Sequence, residues 1–301
     1  MVCCTGSLAG SQNNAQVITT HTGLPVSVFG CKFSDAQMNV SANDNEAGSL
    51  TYAFFCDFEK GAREGGVEKT VMYGCYQDRG TGPGDNKEDM TWCYIKASPG
   101  GASTTSVARA YSGTLESCYL ESDTGTGRAI FNRELGAGKA EGCIFDNWGE
   151  AILLDFLSGG PYLTPLESTN NTFINNTEAI QQNTGLPLSL TNSAAKDNSS
   201  SIVTSAGGFA EITGSSNTLD ANVDSDYTGL ADDILAVDAA LDSALRPTAS
   251  GNCDENGIVP SSQVLGKFDP FGLERTLDKD TIPRGARARL VSTGDLYPLA
   301  V

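Results

Sequence analysis

Cys118-Tyr119-Leu120 then Ala129-Ile130, Cys143-Ile144-Phe145 then Ala151-Ile152, Asn171-Thr172-Phe173 then Ala179-Ile180: between Thr114 and Asn183 one unit is used again and again. Each unit is a short apolar alternation, a gap of Asn, Asp, Thr or Gly, and a second apolar pair. The period of about 25 residues is that of stacked repeats, because one such unit cannot bury its apolar face alone.

Working outward from this stretch, the cysteines carry the same beat. Cys31, Cys56, Cys75, Cys93, Cys118 and Cys143 recur at intervals of 25, 19, 18, 25 and 25 residues. Two residues beyond each stands Phe33, Phe58, Gln77, Ile95, Leu120 or Phe145, apolar in every case but Gln77. In a strand, residues i and i+2 share a face, so both members of each pair can point inward. No C-x-x-C pair of a metal site occurs. A buried free thiol behaves as a small hydrophobe, so these six are read as a structural ladder of stacked thiols.

Seven coils are counted from Val26 to about Asn183, marked by the six cysteines and Asn171. Loops such as Gly61 to Gly66 and Gly80 to Asp85 are corners and excursions between strands. Asn170, Asn171, Asn175 and Asn176 form a dense tract. Asparagine tolerates the left-handed backbone and can hydrogen-bond a neighbouring coil, which suits repeated tight corners. Ser201-Ile202-Val203 and Phe209 to Ile212 continue the alternation. Leu230, Ile234, Leu235, Leu241 and Leu245 then fall near helical spacing, with Asp232 and Asp233 early, so a short helix or an irregular cap is expected there. The expected organisation is an N-terminal cap or arm over 1–25, the coils over 26–222, and a C-terminal cap and tail over 223–301.

The totals agree with an all-β chain. Of 301 residues, 34 are Gly, and long helical patterns are scarce. With 37 acidic and 19 basic side chains the formal charge is -18, a surface that repels phosphate backbones and argues against nucleic acid as a partner. No run of 18 apolar residues offers a membrane span. The sequence from Met1 to Thr5 lacks the charged and apolar regions of a secretory signal, which leaves assembly in the cytosol, export by another route, or numbering after removal of a leader; the methionine at position 1 favours the first.

The repeated Cys-x-apolar units, each followed by Asn and an Ala-Ile pair, resemble single-stranded right-handed parallel β-helix proteins of the pectate-lyase-like superfamily. The tail is similar to their closing segment: Leu245-Arg246-Pro247-Thr248-Ala249-Ser250, then Phe268-Asp269-Pro270-Phe271-Gly272-Leu273-Glu274-Arg275, then Arg284-Gly285-Ala286. It departs from that pattern at Gly251-Asn252, where Ser-Pro is usual, and at Arg284, where an apolar residue is expected. The resemblance implies a fold that hosts lyases, hydrolases, adhesins and phage spikes alike, so the activity has to be argued from the site.

Hydrolases of this fold use clustered Asp and a His in a Gly-His-Gly setting. The single histidine here, His21, lies between Thr20 and Thr22, outside the repeat. A lyase of this fold needs a cation to neutralise a uronate and a base; Arg128, Arg133, Lys139, Glu141 and Asp146 are the candidates. Asp220, Asp224 and Asp226 are candidate oxygen ligands for Ca²⁺, without the glycine turn and terminal Glu of a known calcium loop. Trp92, Trp148, Tyr94 and Tyr119 fall beside inward positions and are candidates for glycan or subunit contact.

These readings combine into an expectation: a non-catalytic structural or attachment module without a cofactor, on a virion or another extracellular surface. Its expected partners are itself, as a homotrimer by analogy with phage spikes, other particle or surface proteins, and glycans. The alternatives are a polysaccharide lyase or other glycan-active enzyme, and a glycan-binding adhesin.

Overall fold

The computed structural model describes residues 5–6, 16–20, 26–34, 39–42, 50–59, 63–64, 69–78, 88–97, 106–109, 113–132, 138–155, 165–183, 187–204, 212–220, 229–235, 237, 239–248, 251–253, 257–258, 269–271, 281–282 and 284–286. These form a parallel β-solenoid. Face one is a nine-stranded sheet running from Val26–Phe29 to Ile212–Ser215, and face two an eleven-stranded sheet from Thr5–Gly6 to Ile234–Leu235. Face three has five strands, Ser106–Arg109 to Ser200–Thr204; in the first coils a three-stranded sheet from Gln16–Thr20 to Arg63–Glu64 follows face two. Within these sheets neighbouring strands succeed one another along the chain and pair in parallel, as in Tyr94↔Tyr119 and Tyr119↔Ile144. That order is possible only if the backbone advances by one strand spacing, about 4.8 Å, per coil.

The two-residue alternation places one column of each face inside. Face one sends in Val28, Ala53, Met72, Met90, Leu115, Ala140 and Leu190, and face two sends in Phe58, Ile95, Leu120, Phe145 and Phe173. Ile130, Ile152, Ile180 and Ile202, which stand in register, line the third. Phe145 and Phe173 stack with centroids 5.1 Å apart and planes 9° from parallel, which is what in-register rings must do when coils stack.

The corner between faces one and two explains the cysteine beat. Just before each ladder residue the backbone turns left-handed: at Gly30, Phe55, Gly74, Trp92, Ser117, Gly142, Asn170, Asn192, Ser216 and Asp232. The next residue points inward and satisfies the turn. The thiols of Cys56, Cys93 and Cys118 donate to the carbonyls of Phe54, Thr91 and Glu116 at 3.3 to 3.4 Å. All six ladder cysteines are buried and free. Past Cys143 the position reads Asn171, Ser193, Asn217 and Asp233, polar side chains in place of thiols: Asn171 accepts the Cys143 N–H at 2.8 Å and donates to the Ala140 carbonyl at 3.0 Å. Asn217 repeats this with Ser193 and Leu190, and Asp233 ends the row by accepting the Asn217 N–H. A second row at the next corner runs Trp148, Asn176, Asn198 and Asp220, each amide N–H bonded to the side-chain oxygen of the following coil. The expected role of the Asn tract is what the geometry requires.

At the N-terminal end Thr5–Gly6 pairs with Lys32–Ser34, and Gln16–Thr20 pairs with Asn39–Ala42, so described parts of 1–25 lie on the stack. At the other end the winding continues beyond 222, because Thr218–Leu219 pairs with Ile234–Leu235. Among the described residues of 229–248 the chain forms this strand, bridges and turns, the irregular cap of the two alternatives. No helix occurs among the described residues of this segment. Past it, Arg284-Gly285-Ala286 folds back along face two. The buried Arg284 guanidinium donates to the carbonyls of Asn217 and Asp232 and to Thr218 Oγ1, the Gly285 N–H to the Asn192 carbonyl, and the Ala286 N–H to Thr172 Oγ1. These three residues act as a strap crossing one coil after another.

Candidate functional site

The outward side of face two carries a graded column, in register from coil to coil: Lys32, Asp57, Tyr76, Tyr94, Tyr119, Ile144, Thr172, Ala194, Thr218. Its first pair is an ion pair at 3.2 Å, and its later members lie under the strap. Between them are the three tyrosines. Tyr76 and Tyr94 have centroids 5.4 Å apart, and Tyr94 and Tyr119 5.3 Å, both edge to face, the arrangement the ring quadrupole favours. Phe271 extends the row by packing 5.8 Å from Tyr119. Two residues along each strand a second outward column reads Asp78, Lys96, Glu121, Asp146.

The columns are tied together. Tyr94 Oη donates to Glu121 Oε2, and Tyr119 Oη to Asp146 Oδ2 at 2.5 Å. Asn175 Nδ2 donates to the other Asp146 oxygen at 3.0 Å. Burial first, and the carboxylates they donate to second, hold both phenols above the ordinary tyrosine range. Both therefore stay neutral donors at physiological pH, a poor state for a general base. Rings fixed by carboxylates and left partly open, Tyr94 being 39% exposed, form a contact surface rather than a reactive one.

Beside this row, across the corner, lies a second aromatic group. Phe55 and Trp92 occupy the left-handed corner with φ of 52° and 59°, a conformation costing roughly 1–2 kcal/mol for residues with a Cβ. Phe55 projects over Gly74 of the next coil, where a Cβ would sit 2.7 Å from its ring. Trp92 Nε1 donates to the Asp269 carbonyl at 2.8 Å, so the tail is anchored here as well.

Of the sequence-derived candidates, Tyr94 and Tyr119 are brought together and Trp92 stands at the neighbouring corner. Trp148 requires correction. It is fully buried, with Nε1 donating to the Leu120 carbonyl at 3.0 Å, because it occupies the inward position of the second corner ladder. It can touch neither glycan nor subunit. The alternative catalytic set is not assembled either. Arg128 lies on face three, 3.0 Å from Glu150 and over the Phe131 ring at 4.6 Å. Lys139 pairs with the buried Glu141 at 3.1 Å on face one, while Asp146 serves Tyr119 on face two. Arg133 lies outside the described residues. Proximity in sequence misled because successive strands of a coil face different directions. Asp220 accepts from Asn198 and Ser201 in the interior, while Asp224 and Asp226 lie outside the described residues. No group of three or more His, Cys, Asp or Glu able to hold an ion occurs among the described residues.

Sequence reasoning missed Tyr76, Glu121 and Arg284. The first had a signal: Cys75-Tyr76, Cys93-Tyr94 and Cys118-Tyr119 repeat the same dipeptide. Arg284 registered only as a departure from the expected closing strand. No family model matches this chain, and no curated protein or solved structure matches it.

Proposed function

We propose that this protein is a rigid, non-catalytic attachment module of an assembled surface, a phage or virus particle being the setting that best suits it, and that the tyrosine and carboxylate face is where it makes contact. The observation that carries this reading is the separation of the charged candidates onto three faces, with Arg128 and Lys139 held in ion pairs, while the aromatic row is continuous over three coils. A stack with a filled core is stiff along its axis, and in-register columns present a regular strip to a partner. The resemblance to right-handed β-helix proteins of the pectate-lyase-like superfamily, phage spikes among them, supports the same reading, and a homotrimer is proposed by analogy with those spikes.

The test is chemical. Purified protein is incubated with a panel of acidic polysaccharides and the products are separated by size. No release of fragments is expected; chain cleavage at catalytic turnover would replace this reading with the lyase alternative. Sedimentation velocity checks the trimer.

A further inference from the structure

We infer that the Tyr76, Tyr94 and Tyr119 row, with Glu121 and Asp146 beside it, is a docking strip for an extended, arginine-bearing segment of a partner protein. This deepens the attachment reading and rests on it. Three observations lead here.

The first is continuity with an interface the chain already makes. The strap runs along the same outward column, with Arg284 at Thr218, Gly285 fitted against Ala194 and Thr172, and Ala286 clustered with Ile144 and Ile174. The next members of that column are Tyr119, Tyr94 and Tyr76. A segment bearing an arginine is therefore what this column accepts in its later coils. The strip is the same column left partly open.

The second is charge. Among the described residues the outward column beside the rings sets three carboxylates, Asp78, Glu121 and Asp146, against one ammonium, Lys96. The chain as a whole carries -18, so a second copy brings like charge to the strip and a cationic segment brings the complement. The third is the pairing of ring and carboxylate. On face three this chain seats a guanidinium over an aromatic ring with a carboxylate holding its edge, in Arg128, Phe131 and Glu150. The strip offers both halves of that arrangement, rings for the cation face and carboxylates for the N–H fork.

The experiment uses the full chain and a fluorescein-labelled peptide alternating arginine and glycine, read by anisotropy. Saturable binding is expected. Tyr94→Ser and Glu121→Gln should each weaken it by about tenfold, whereas Glu167→Gln, an exposed carboxylate on face one, should leave it within about threefold. Both strip residues face solvent at least in part, and thermal melts confirm that the variants fold. Equal losses in Glu121→Gln and Glu167→Gln would mean bulk charge alone, and no loss in Tyr94→Ser would mean another site; either overturns the inference. Binding that appears only after truncation behind Ala286 assigns the strip to the chain's own Arg287 and Arg289. A dimer that Tyr94→Ser dissociates assigns it to a second copy. Each of those also overturns it. Failure of the peptide to bind, with no glycan turnover, removes the arginine partner and leaves the attachment reading standing.

Discussion

At the scale of single residues, the ladder cysteine is a corner device. Its thiol is small enough to stack every coil and polar enough to close a left-handed turn by donating to the carbonyl two residues back. Hydrogen bonding to Cys75 first and burial second push the Cys56 thiol up, and burial first pushes Cys118 up. Such thiols are poor nucleophiles. Of the nine cysteines, the seven described are all buried, so a thiol-specific chromogenic reagent should titrate no more than two in the native protein and all nine in denaturant. Fast labelling of a third would contradict the packing. Glu178 makes the opposite kind of prediction. Burial, then the neighbouring Glu150, hold its carboxyl above the usual range, and its Oε2 has no hydrogen-bond partner among the described residues. The folded state thus binds this proton more readily than the unfolded chain. Stability from this site is greatest below the unfolded pKa and is lost as pH rises through the raised one. Glu178→Gln should raise Tm at pH 7, and the gain should vanish below about pH 4, where the Glu178 carboxyl is protonated in the folded and the unfolded chain alike.

At the scale of elements, the exchange of thiols for polar side chains, Asn171, Ser193 and Asn217 among them, trades hydrophobic filling for hydrogen bonds between coils. Asn171 serves three groups in the interior: the Cys143 N–H, the Ala140 carbonyl and Ser168 Oγ. Asn171→Ala strands these and should cost about 3 kcal/mol in denaturant melts. Asn171→Cys should cost less, since a thiol fills this position in the preceding coils. The strap depends on a backbone that only glycine adopts freely. Gly285 has φ 95°, and a Cβ there would lie 2.8 Å from Thr172 Oγ1. Gly285→Ala should destabilise by about 1–2 kcal/mol or more, with faster proteolysis of the C-terminal segment. An unchanged digestion pattern would argue that the strap is not held by this contact.

At the scale of the whole molecule, the charge of -18 acts against compactness. Raising salt from about 0.01 M to about 1 M shortens the screening length from roughly 30 Å to roughly 3 Å, and Tm should rise by roughly 2–4 °C for each 1 kcal/mol of repulsion relieved. A fall in Tm would mean that ion pairs such as Arg128 with Glu150 outweigh the repulsion. The winding itself was legible in the chain, because side-chain period and coil period are both local: Cys56 and Phe58, or Ala151 and Ile152, declare an inward face without reference to anything distant. The corner asparagines were legible for the same reason, since a left-handed turn selects its residue on the spot. Which outward residues meet was not. Tyr94, Tyr119 and Glu121 are neighbours only because coils of unequal length stack in register, and Arg128, Lys139 and Asp146, close in sequence, point three ways for that same reason. Trp148 turned inward and Arg284 found its carbonyls only once a distant segment folded back. Local periodicity is written into the chain, while contacts across coils depend on loop lengths whose closure only the assembled structure resolves.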